Sequence, residues 1–271
     1  MDKILVLTDV HVVPEGETII GLDPGARLTA ALEHALARHA DAAALVIMGD
    51  LTHHGTGAEY HRLKGLLADL PLPVIPMIGN HDRRAPFQAA FPQAPRTAEG
   101  HVQGILDLAH HRIITLDTLD GPPYPRGHHA GRLCAHRMAW LEAALAGAGG
   151  RTCLVFAHHP PFPVGIPGMD AIPLAEGDKL LALLAAHRPV HLFCGHVHRT
   201  ISGTTGGVGW TMFKSTCHQG PLDLATPDSS LSIDEPGAYG VLLLPPGGVI
   251  AHSEDVLATP AAISERASRQ G

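Results

Sequence analysis

Five short apolar segments of this chain are each followed directly by side chains that bind metals. The segments occupy residues 4–7, 44–48, 74–78, 153–157 and 190–194. Continuous apolar runs of this length, rich in β-branched residues, are typical of strands that are buried on both faces. Because ligands bind beyond the carboxyl ends of the strands in open α/β sheets, the polar residues after the five runs are predicted to meet at one edge of one sheet.

The residues after these strands are mainly aspartate, asparagine and histidine. In chain order they are Asp9-Val10-His11, Gly49-Asp50, Gly79-Asn80-His81-Asp82, His158-His159-Pro160-Pro161 and Gly195-His196-Val197-His198. Carboxylate and imidazole groups suit Mn, Fe, Co or Zn, and the absence of cysteine from all five motifs argues against a purely structural zinc site. The sequence therefore predicts a metal-dependent hydrolase.

The donor types also favour a pair of ions. Asp50 has two carboxylate oxygens and can bridge two metals, while Asn80 offers a neutral oxygen that limits negative charge beside an anionic substrate. Two ions held about 3.5–4 Å apart stabilise the attacking and the leaving oxygen of an in-line displacement at phosphorus, and they lower the pKa of a shared water. His81 is the candidate to assist the leaving alcohol, with Asp82 orienting its ring.

The segments between the motifs predict the rest of an α/β fold. Apolar residues recur at helical spacing over 26–39, 57–69, 134–146 and 177–187. Alternating strands and helices imply parallel pairing, and an antiparallel pair at 101–108 and 111–117 begins a second sheet. Short strands are predicted at 200–204, 208–215, 238–244 and 249–253. We expect one domain over 1–257, in which 200–257 is a substrate lid or an oligomerisation segment, and a flexible tail over 258–271.

The bulk composition excludes several classes of protein. The chain has 271 residues, 45% of them hydrophobic, and a net charge of −7. These values are ordinary for a soluble globular protein and give no basic surface for duplex nucleic acid. Four scattered cysteines without a C-x-x-C pair give no sign of a disulfide framework. Neither a signal peptide nor a membrane-spanning run is evident, so we expect a cytoplasmic protein with no membrane partner.

The five motifs together resemble those of the calcineurin-like metallophosphoesterases. They occur in that family's order between residue 4 and about residue 200. The chain looks like the bacterial branch that contains the class III cyclic-nucleotide phosphodiesterases and the glycerophosphodiesterases. This resemblance implies a four-layer αββα sandwich, in which helices flank two mixed β-sheets, with a binuclear site and a homo-oligomeric assembly.

By the same resemblance, each of two divalent or trivalent ions has four protein ligands. One ion is expected on Asp9, His11, Asp50 and His198, and the other on Asp50, Asn80, His158 and His196. His81 is then the catalytic histidine. The expected reaction is in-line attack by a metal-bridging hydroxide on a small phosphodiester, of the cyclic-nucleotide or glycerophosphodiester type, while His81 assists the departing alcohol.

Substrate contacts stay open at this level. His53, Arg83 and His159 adjoin the motifs and are candidate contacts, although a polar loop face or a solvated charge explains each of them equally well. If Arg83 and Arg84 pair with the extra charge of a monoester, the activity becomes that of a phosphomonoesterase, a broad-specificity phosphoesterase or a phosphonate monoesterase. A nuclease and a non-catalytic binding module on the same fold are further alternatives.

Three further histidine positions or pairs are expected at the surface. His218 is placed in a surface loop or a lid, and His110-His111 and His128-His129 are predicted to be exposed turns.

Overall fold

The structure is a computed structural model, and it describes residues 1–124 and 127–256. The strands are β1 (Asp2–Leu7), β2 (Ala44–Met48), β3 (Val74–Met77), β4 (Gly104–Asp107), β5 (His111–Leu116), β6 (Thr152–Ala157), β7 (Val190–Cys194), β8 (Ile201–Thr205), β9 (Val208–Met212), β10 (Ala238–Leu244) and β11 (Ile250–Asp255). The helices are α1 (Pro24–Arg38), α2 (Gly57–Leu66), α3 (Arg84–Ala90), α4 (Ala135–Ala146), α5 (Pro167–Asp170) and α6 (Gly177–Ala186). The predicted tail over 258–271 lies outside the described residues.

The strands form two mixed sheets. The first has the order β11-β10-β1-β2-β3 and the second β4-β5-β6-β7-β9-β8. In the first sheet β1, β2 and β3 are parallel, while β10 and β11 add antiparallel strands at the other side. In the second sheet β5, β6, β7 and β9 are parallel, and β4 and β8 are antiparallel edge strands. The parallel strands of each sheet therefore end at a shared edge.

The core has three apolar layers, which account for the runs of consecutive apolar residues. Val6 and Val46 of the first sheet and Phe156 and Phe193 of the second belong to one buried cluster, so the two sheets pack face to face. The outer face of the first sheet packs on α1 and α2, and that of the second on α4 and α6. Strands with both faces covered must be apolar throughout. This confirms the predicted four-layer αββα sandwich.

Local sequence signals fix where the first two helices begin. Asp23 precedes α1, and its carboxylate accepts hydrogen bonds from the amides of Gly25 and Ala26, which satisfies donors that a helix cannot pair internally. Thr56 and Glu59 form a reciprocal capping box at the start of α2. The predicted starts at 26 and 57 therefore lie within two residues of the observed ones.

One prediction about the chain between the motifs needs correction. His111 is not in an exposed turn: it is the first residue of β5, it is fully buried, and its Nε2 donates to the carbonyl of Gly248. After residue 200 the predicted strands are observed, because β8 and β9 extend the second sheet and β10 and β11 the first; a lid or oligomerisation role for this segment stays a prediction. Among the described residues, no helix is long and apolar enough to cross a membrane.

Candidate metal centre

The structure brings all seven predicted metal ligands to one place, at the carboxyl ends of β1, β2, β3, β6 and β7. None of the seven is more than 9% exposed. They are Asp9, His11, Asp50, Asn80, His158, His196 and His198. The five strands belong to two different sheets, so the prediction that these residues meet at one edge of a single sheet is wrong. The packing of the two sheets brings their polar ends into one cluster.

Four of these side chains surround a single point. One donor atom from each of Asp9, His11, Asp50 and His198 lies within 4.8 Å of the others. Nε2 of His198 is 3.1 Å from Nε2 of His11 and 3.2 Å from Oδ1 of Asp9. This is the set that the resemblance assigns to the first ion.

The second predicted set lies beside the first. Nε2 of His158 is 3.1 Å from Oδ1 of Asn80 and 3.3 Å from Oδ2 of Asp50. The same Oδ2 of Asp50 is 3.6 Å from Nε2 of His11. Asp50 therefore lies between the two groups, where a carboxylate can bridge two cations.

Main-chain groups fix the direction of the ligating rings. Nδ1 of His158 donates to the carbonyl of Met48 (3.0 Å), and Nδ1 of His198 donates to the carbonyl of His218 (2.8 Å). A carbonyl only accepts, so Nδ1 of each ring carries a proton and Nε2 is the nitrogen that points into the cluster. The amide nitrogen of Asn80 lies 3.0 Å from Nδ1 of His129, which leaves its oxygen for the site.

The buried carboxylates hold negative charge. Burial alone raises the pKa of Asp50, but neighbouring His158 and His81 outweigh this and hold the pKa well below its ordinary range. The pKa of Asp9 is also lowered, since His198 overcomes the effect of burial. Conversely, burial lowers the pKa of His158, but the attraction of Asp50 raises it to about 9. The cluster therefore attracts positive charge at the point where its donor atoms converge.

Backbone strain is concentrated in the same residues. Asp9, His11, Asp50, His196 and His198 all have φ between 45° and 69°. This left-handed region is unfavourable for residues other than glycine and costs about 1–3 kcal/mol at each position. Five of the seven predicted ligands therefore lie on strained backbone directly beyond the strand ends.

Glycines in the motifs give the ligands room. A Cβ on Gly79 would lie 2.3 Å from Oδ1 of Asp50 and 2.7 Å from the His158 ring. A Cβ on Gly49, which has φ +88°, would lie 2.4 Å from Nδ1 of His158. Both distances are far below van der Waals contact, so each glycine leaves the space that a ligand from another strand occupies.

The cluster opens into a cavity of about 380 Å³. His81 lies on its wall, stacked between His53 (ring centroids 4.9 Å apart) and His129 (5.1 Å). Nδ1 of His81 donates to the carbonyl of His53 at 2.7 Å, so Nε2 is the nitrogen that is free. His53, a predicted substrate contact, also lines the cavity, and burial lowers its pKa to about 4.

Asp82 does not contact the ring of His81. Its carboxylate accepts from the amides of Leu51, Thr52 and Gly79 and from the hydroxyls of Thr52 and Tyr60. Burial and the charge of Asp50 raise its pKa to about 6. Asp82 therefore ties the loop after β2 to the loop after β3, and the orienting role expected of it belongs to the His53 carbonyl.

Two further predicted contacts are bonded within the protein. His159 is fully buried, with Nδ1 against the Thr118 hydroxyl (2.7 Å) and Nε2 donating to the carbonyl of His129 (3.0 Å), so neither ring nitrogen is free for a substrate. The guanidinium of Arg83 donates to main-chain carbonyls and lies 4.5 Å from the ring centre of Tyr124. Neither residue lines the cavity as the structure describes it.

Arg84 is likewise bonded within the protein. It forms a bidentate ion pair with the buried Asp117, with both distances 2.7 Å. Its role is to neutralise a buried carboxylate next to β5, and it does not face the cavity.

Sequence reasoning missed two cavity histidines. His129, assigned to an exposed turn, lines the cavity beside Asn80 and stacks on His81. His218, assigned to a surface loop, has a ring nitrogen within 4.8 Å of donors of His11 and His198. Both come from irregular segments with no adjacent motif, so only the three-dimensional path of the chain places them here.

Cations fit the observed donor set. Nε2 of His196 is buried and has no hydrogen-bond partner, and burial lowers the pKa of this ring to about 3. Nitrogens of His11 and His198 face each other at 3.1 Å. A buried nitrogen without a partner is costly, and a metal ion satisfies it directly. Neutral imidazoles, ionised carboxylates and an amide oxygen form a set suited to divalent first-row metals.

Comparison with known proteins agrees with this geometry. The sequence profile of the calcineurin-like phosphoesterases matches residues 2–200. The chain belongs to the calcineurin-like phosphoesterase family. It is therefore a phosphoric ester hydrolase, and the family resemblance seen in its five motifs is confirmed.

Similar sequences and similar solved structures extend the match beyond the five motifs. The chain is 40% identical to a probable cyclic nucleotide phosphodiesterase of Rhodopseudomonas palustris, over 92% of this chain and 91% of that protein. It is 33% identical to a glycerophosphodiester phosphodiesterase of Enterobacter lignolyticus, over 66% and 64%. A dimetal phosphatase from Danio rerio superposes with a TM-score of 0.71 at 15% identity, covering 94% of this chain and 96% of that one, which shows a shared fold.

Proposed function

We propose that this phosphoesterase is a dinuclear metal-dependent phosphodiesterase that hydrolyses small phosphodiesters. One observation carries the proposal: seven buried ligand side chains converge as two adjacent groups that share Oδ2 of Asp50. Asp9, His11, Asp50 and His198 would hold one ion. Asp50, Asn80, His158 and His196 would hold the other.

Two bound ions would supply an activated water and would neutralise the charge that develops on the phosphoryl oxygens. The protein supplies rigidity. His158 and His198 are held by main-chain carbonyls, and the amide of His81 donates to Oδ1 of Asp50 at 2.9 Å. Because these groups are fixed before substrate binds, little reorganisation is needed during the reaction.

His81 is the residue that we assign to the leaving group. With the Nδ1 proton donated to His53, a second proton on Nε2 makes the ring a donor to a departing alkoxide. Its stacking between the rings of His53 and His129 keeps that nitrogen on the cavity wall. His81 is thus proposed as the general acid.

Three observations favour diesters over monoesters. Arg84 is bound to Asp117 and Arg83 to main-chain carbonyls, so neither is available for the extra charge of a monoester. Within residues 1–124 and 127–256, the cavity is lined by no lysine or arginine. The relatives from Rhodopseudomonas palustris and Enterobacter lignolyticus are both named as diesterases.

The substrate class is tested by comparing bis(p-nitrophenyl) phosphate with p-nitrophenyl phosphate in protein depleted of metal and reconstituted with Mn²⁺, Fe²⁺, Co²⁺ or Zn²⁺. We expect metal-dependent turnover with a higher kcat/KM for the diester. Faster turnover of the monoester would overturn the diester assignment, and activity that survives metal depletion would overturn the metal mechanism.

The role of His81 is tested with leaving groups of different basicity. A general acid matters most for a basic alkoxide and least for p-nitrophenolate, so His81→Gln should slow an alkyl leaving group about 10²–10⁴-fold and p-nitrophenolate much less. His128→Gln is the matched control, because His128 is an exposed histidine bonded to Asp120 outside the cavity. Equal losses for both leaving groups would refute the assignment.

The cytoplasmic location and the homo-oligomeric state expected from the sequence are also part of this proposal. Fractionation of cells and light scattering of the purified protein would check them.

A further inference from the structure

A sixth residue shares the backbone strain of the metal ligands. Among the described residues, six non-glycine residues have positive φ, and five of them are the predicted ligands. The sixth is Ile20, with φ +46°. It lies on the loop between β1 and α1, after the first motif and outside all five. Since strained backbone is retained where the surrounding structure requires it, Ile20 needs its own explanation.

The local structure makes isoleucine an unfavourable choice at this position. The amide and carbonyl of Ile19 exchange hydrogen bonds with those of Leu22, both at 2.9 Å, so the chain turns tightly at Ile20-Gly21. Both turn residues have positive φ, +46° and +83°, as in a type I′ turn. Asparagine, aspartate or glycine is preferred in the first position of such a turn, and a β-branched residue is an outlier.

Packing does not explain the choice either. Ile20 is 53% exposed and belongs to none of the three apolar clusters. Its surroundings supply a different reason, because Ile20 lines the cavity that contains the metal centre. The strained turn therefore holds an apolar side chain at the border of the site.

Ile20 is one member of an apolar part of that cavity wall. The other apolar members are Ile19, Met169, Ile172, Val197 and Leu231. These apolar side chains share the cavity with the histidines and Asp50 of the predicted metal centre. Leu231 is itself 39% exposed and comes from the loop between β9 and β10. An apolar wall beside a phosphoryl site offers burial to an ester group that has apolar surface.

We propose that Ile20 is a specificity-determining residue that contacts the retained ester group of the substrate and favours ester groups with an apolar or flat face over small polar ones. This inference depends on the proposed diesterase activity, and it assigns a role in substrate choice to a residue outside the metal centre. The strained turn lowers the stability of the fold, and it places an apolar side chain where that side chain contributes to selectivity in binding.

The test uses three diesters that share the p-nitrophenolate leaving group and differ in the ester that is retained. These are the methyl, the p-nitrophenyl and the thymidine 5′ esters of p-nitrophenyl phosphate. The variant is Ile20→Asn, which suits the turn better and removes the apolar surface. Ile250→Asn is the matched control, since Ile250 is a similarly exposed isoleucine (47%) on β11 that does not line the cavity.

In Ile20→Asn we expect KM for the p-nitrophenyl and thymidine esters to rise about tenfold, with kcat and all constants for the methyl ester nearly unchanged. Relief of strain should raise Tm by about 2–4 °C. A lower Tm would show that Ile20 is a packing residue, and equal changes for all three esters would refute a role in selectivity; either result overturns the inference. If the wild-type protein hydrolyses none of the three diesters, the proposed function itself fails.

Discussion

Replacing Asp82 by asparagine changes one atom of a carboxylate that accepts five hydrogen bonds. Oδ2 accepts from the amides of Leu51 (3.0 Å) and Gly79 (2.9 Å). Oδ1 accepts from the amide of Thr52 (3.2 Å), from its hydroxyl (3.0 Å) and from the hydroxyl of Tyr60 (2.7 Å). An asparagine has only one accepting oxygen, so the outcome depends on which position that oxygen takes.

The amide nitrogen is best placed where Oδ1 was. Both hydroxyls can rotate and accept from it, whereas the amides of Leu51 and Gly79 can only donate and must keep the oxygen. The amide of Thr52 is then the one main-chain donor left without an acceptor, at a cost of about 1–3 kcal/mol. The charge of Asp50 helps raise the pKa of Asp82 to about 6. Asparagine removes the repulsion between the two carboxylates, and this offsets part of the cost. We therefore expect Asp82→Asn to lower the free energy of unfolding by about 1–2 kcal/mol.

Asp82→Ala is the matched comparison, because it leaves the amides of Leu51, Thr52 and Gly79 without a partner. Its expected cost is at least about 3 kcal/mol. Urea unfolding of metal-depleted protein at pH 7 measures both values. The reasoning is refuted if Asp82→Asn is as costly as Asp82→Ala, or if both lie within about 0.5 kcal/mol of wild type.

Three further predictions follow from other parts of the structure. Gly79→Ala places a Cβ 2.3 Å from Oδ1 of Asp50 and should reduce bound metal at least tenfold by elemental analysis after dialysis; wild-type metal content would contradict the geometry. Arg84→Met removes the bidentate partner of the buried Asp117 and leaves only Arg137, at 3.5 Å, and it should destabilise the fold by about 2–3 kcal/mol, measured by urea unfolding, whereas a changed KM at full stability would show a role in substrate binding. Burial lowers the pKa of His191 to about 4, below about 6.5 in the unfolded chain. The contribution of the neutral, buried ring to the free energy of unfolding is therefore fully present above pH 6.5 and is lost as pH falls towards 4. The wild type should therefore lose about 1–2 kcal/mol more than His191→Gln between pH 7 and pH 5, and identical losses would contradict this.

The architecture could be predicted because strands that are buried on both faces are recognisable in the sequence as continuous apolar runs. The β2 segment is apolar at every position and the β6 segment is apolar from Cys153 onward, since each strand is covered by a sheet on one face and a helix on the other. Their ends were therefore easy to locate, and Asp50 and His158 follow directly. The rule for parallel strands predicts a meeting at the edge of one sheet, but Asp50 and His158 follow strands of different sheets, and only the packing of the two sheets brings them together.

The direction of individual side chains was not accessible in the same way. His158 and His159 are adjacent, and burial gives no way to choose between them, because both are fully buried. The structure separates them by their partners, the Met48 carbonyl for one ring and Thr118 with the His129 carbonyl for the other. Such partners come from distant strands and loops, which a single sequence does not pair.

Loop residues were the least predictable part of the site. His129 and His218 lie in segments without periodic apolar residues, so composition alone favours an exposed position. Ile20 is a different case, since isoleucine followed by glycine is not among the usual signals of a tight turn. What places it is the pairing of Ile19 with Leu22, which no local rule favours.

The carbonyls that hold His158 and His198 belong to the main chain of residues 48 and 218. Every amino acid supplies that carbonyl, so exchanging the side chain at either position keeps the acceptor that directs the ring. Side chains on the surface around the centre can therefore change during evolution, and the preferred ester with them, while the hydrogen bonds that orient these two rings are kept. A family in which many substrates share one catalytic core is the outcome that such an arrangement permits.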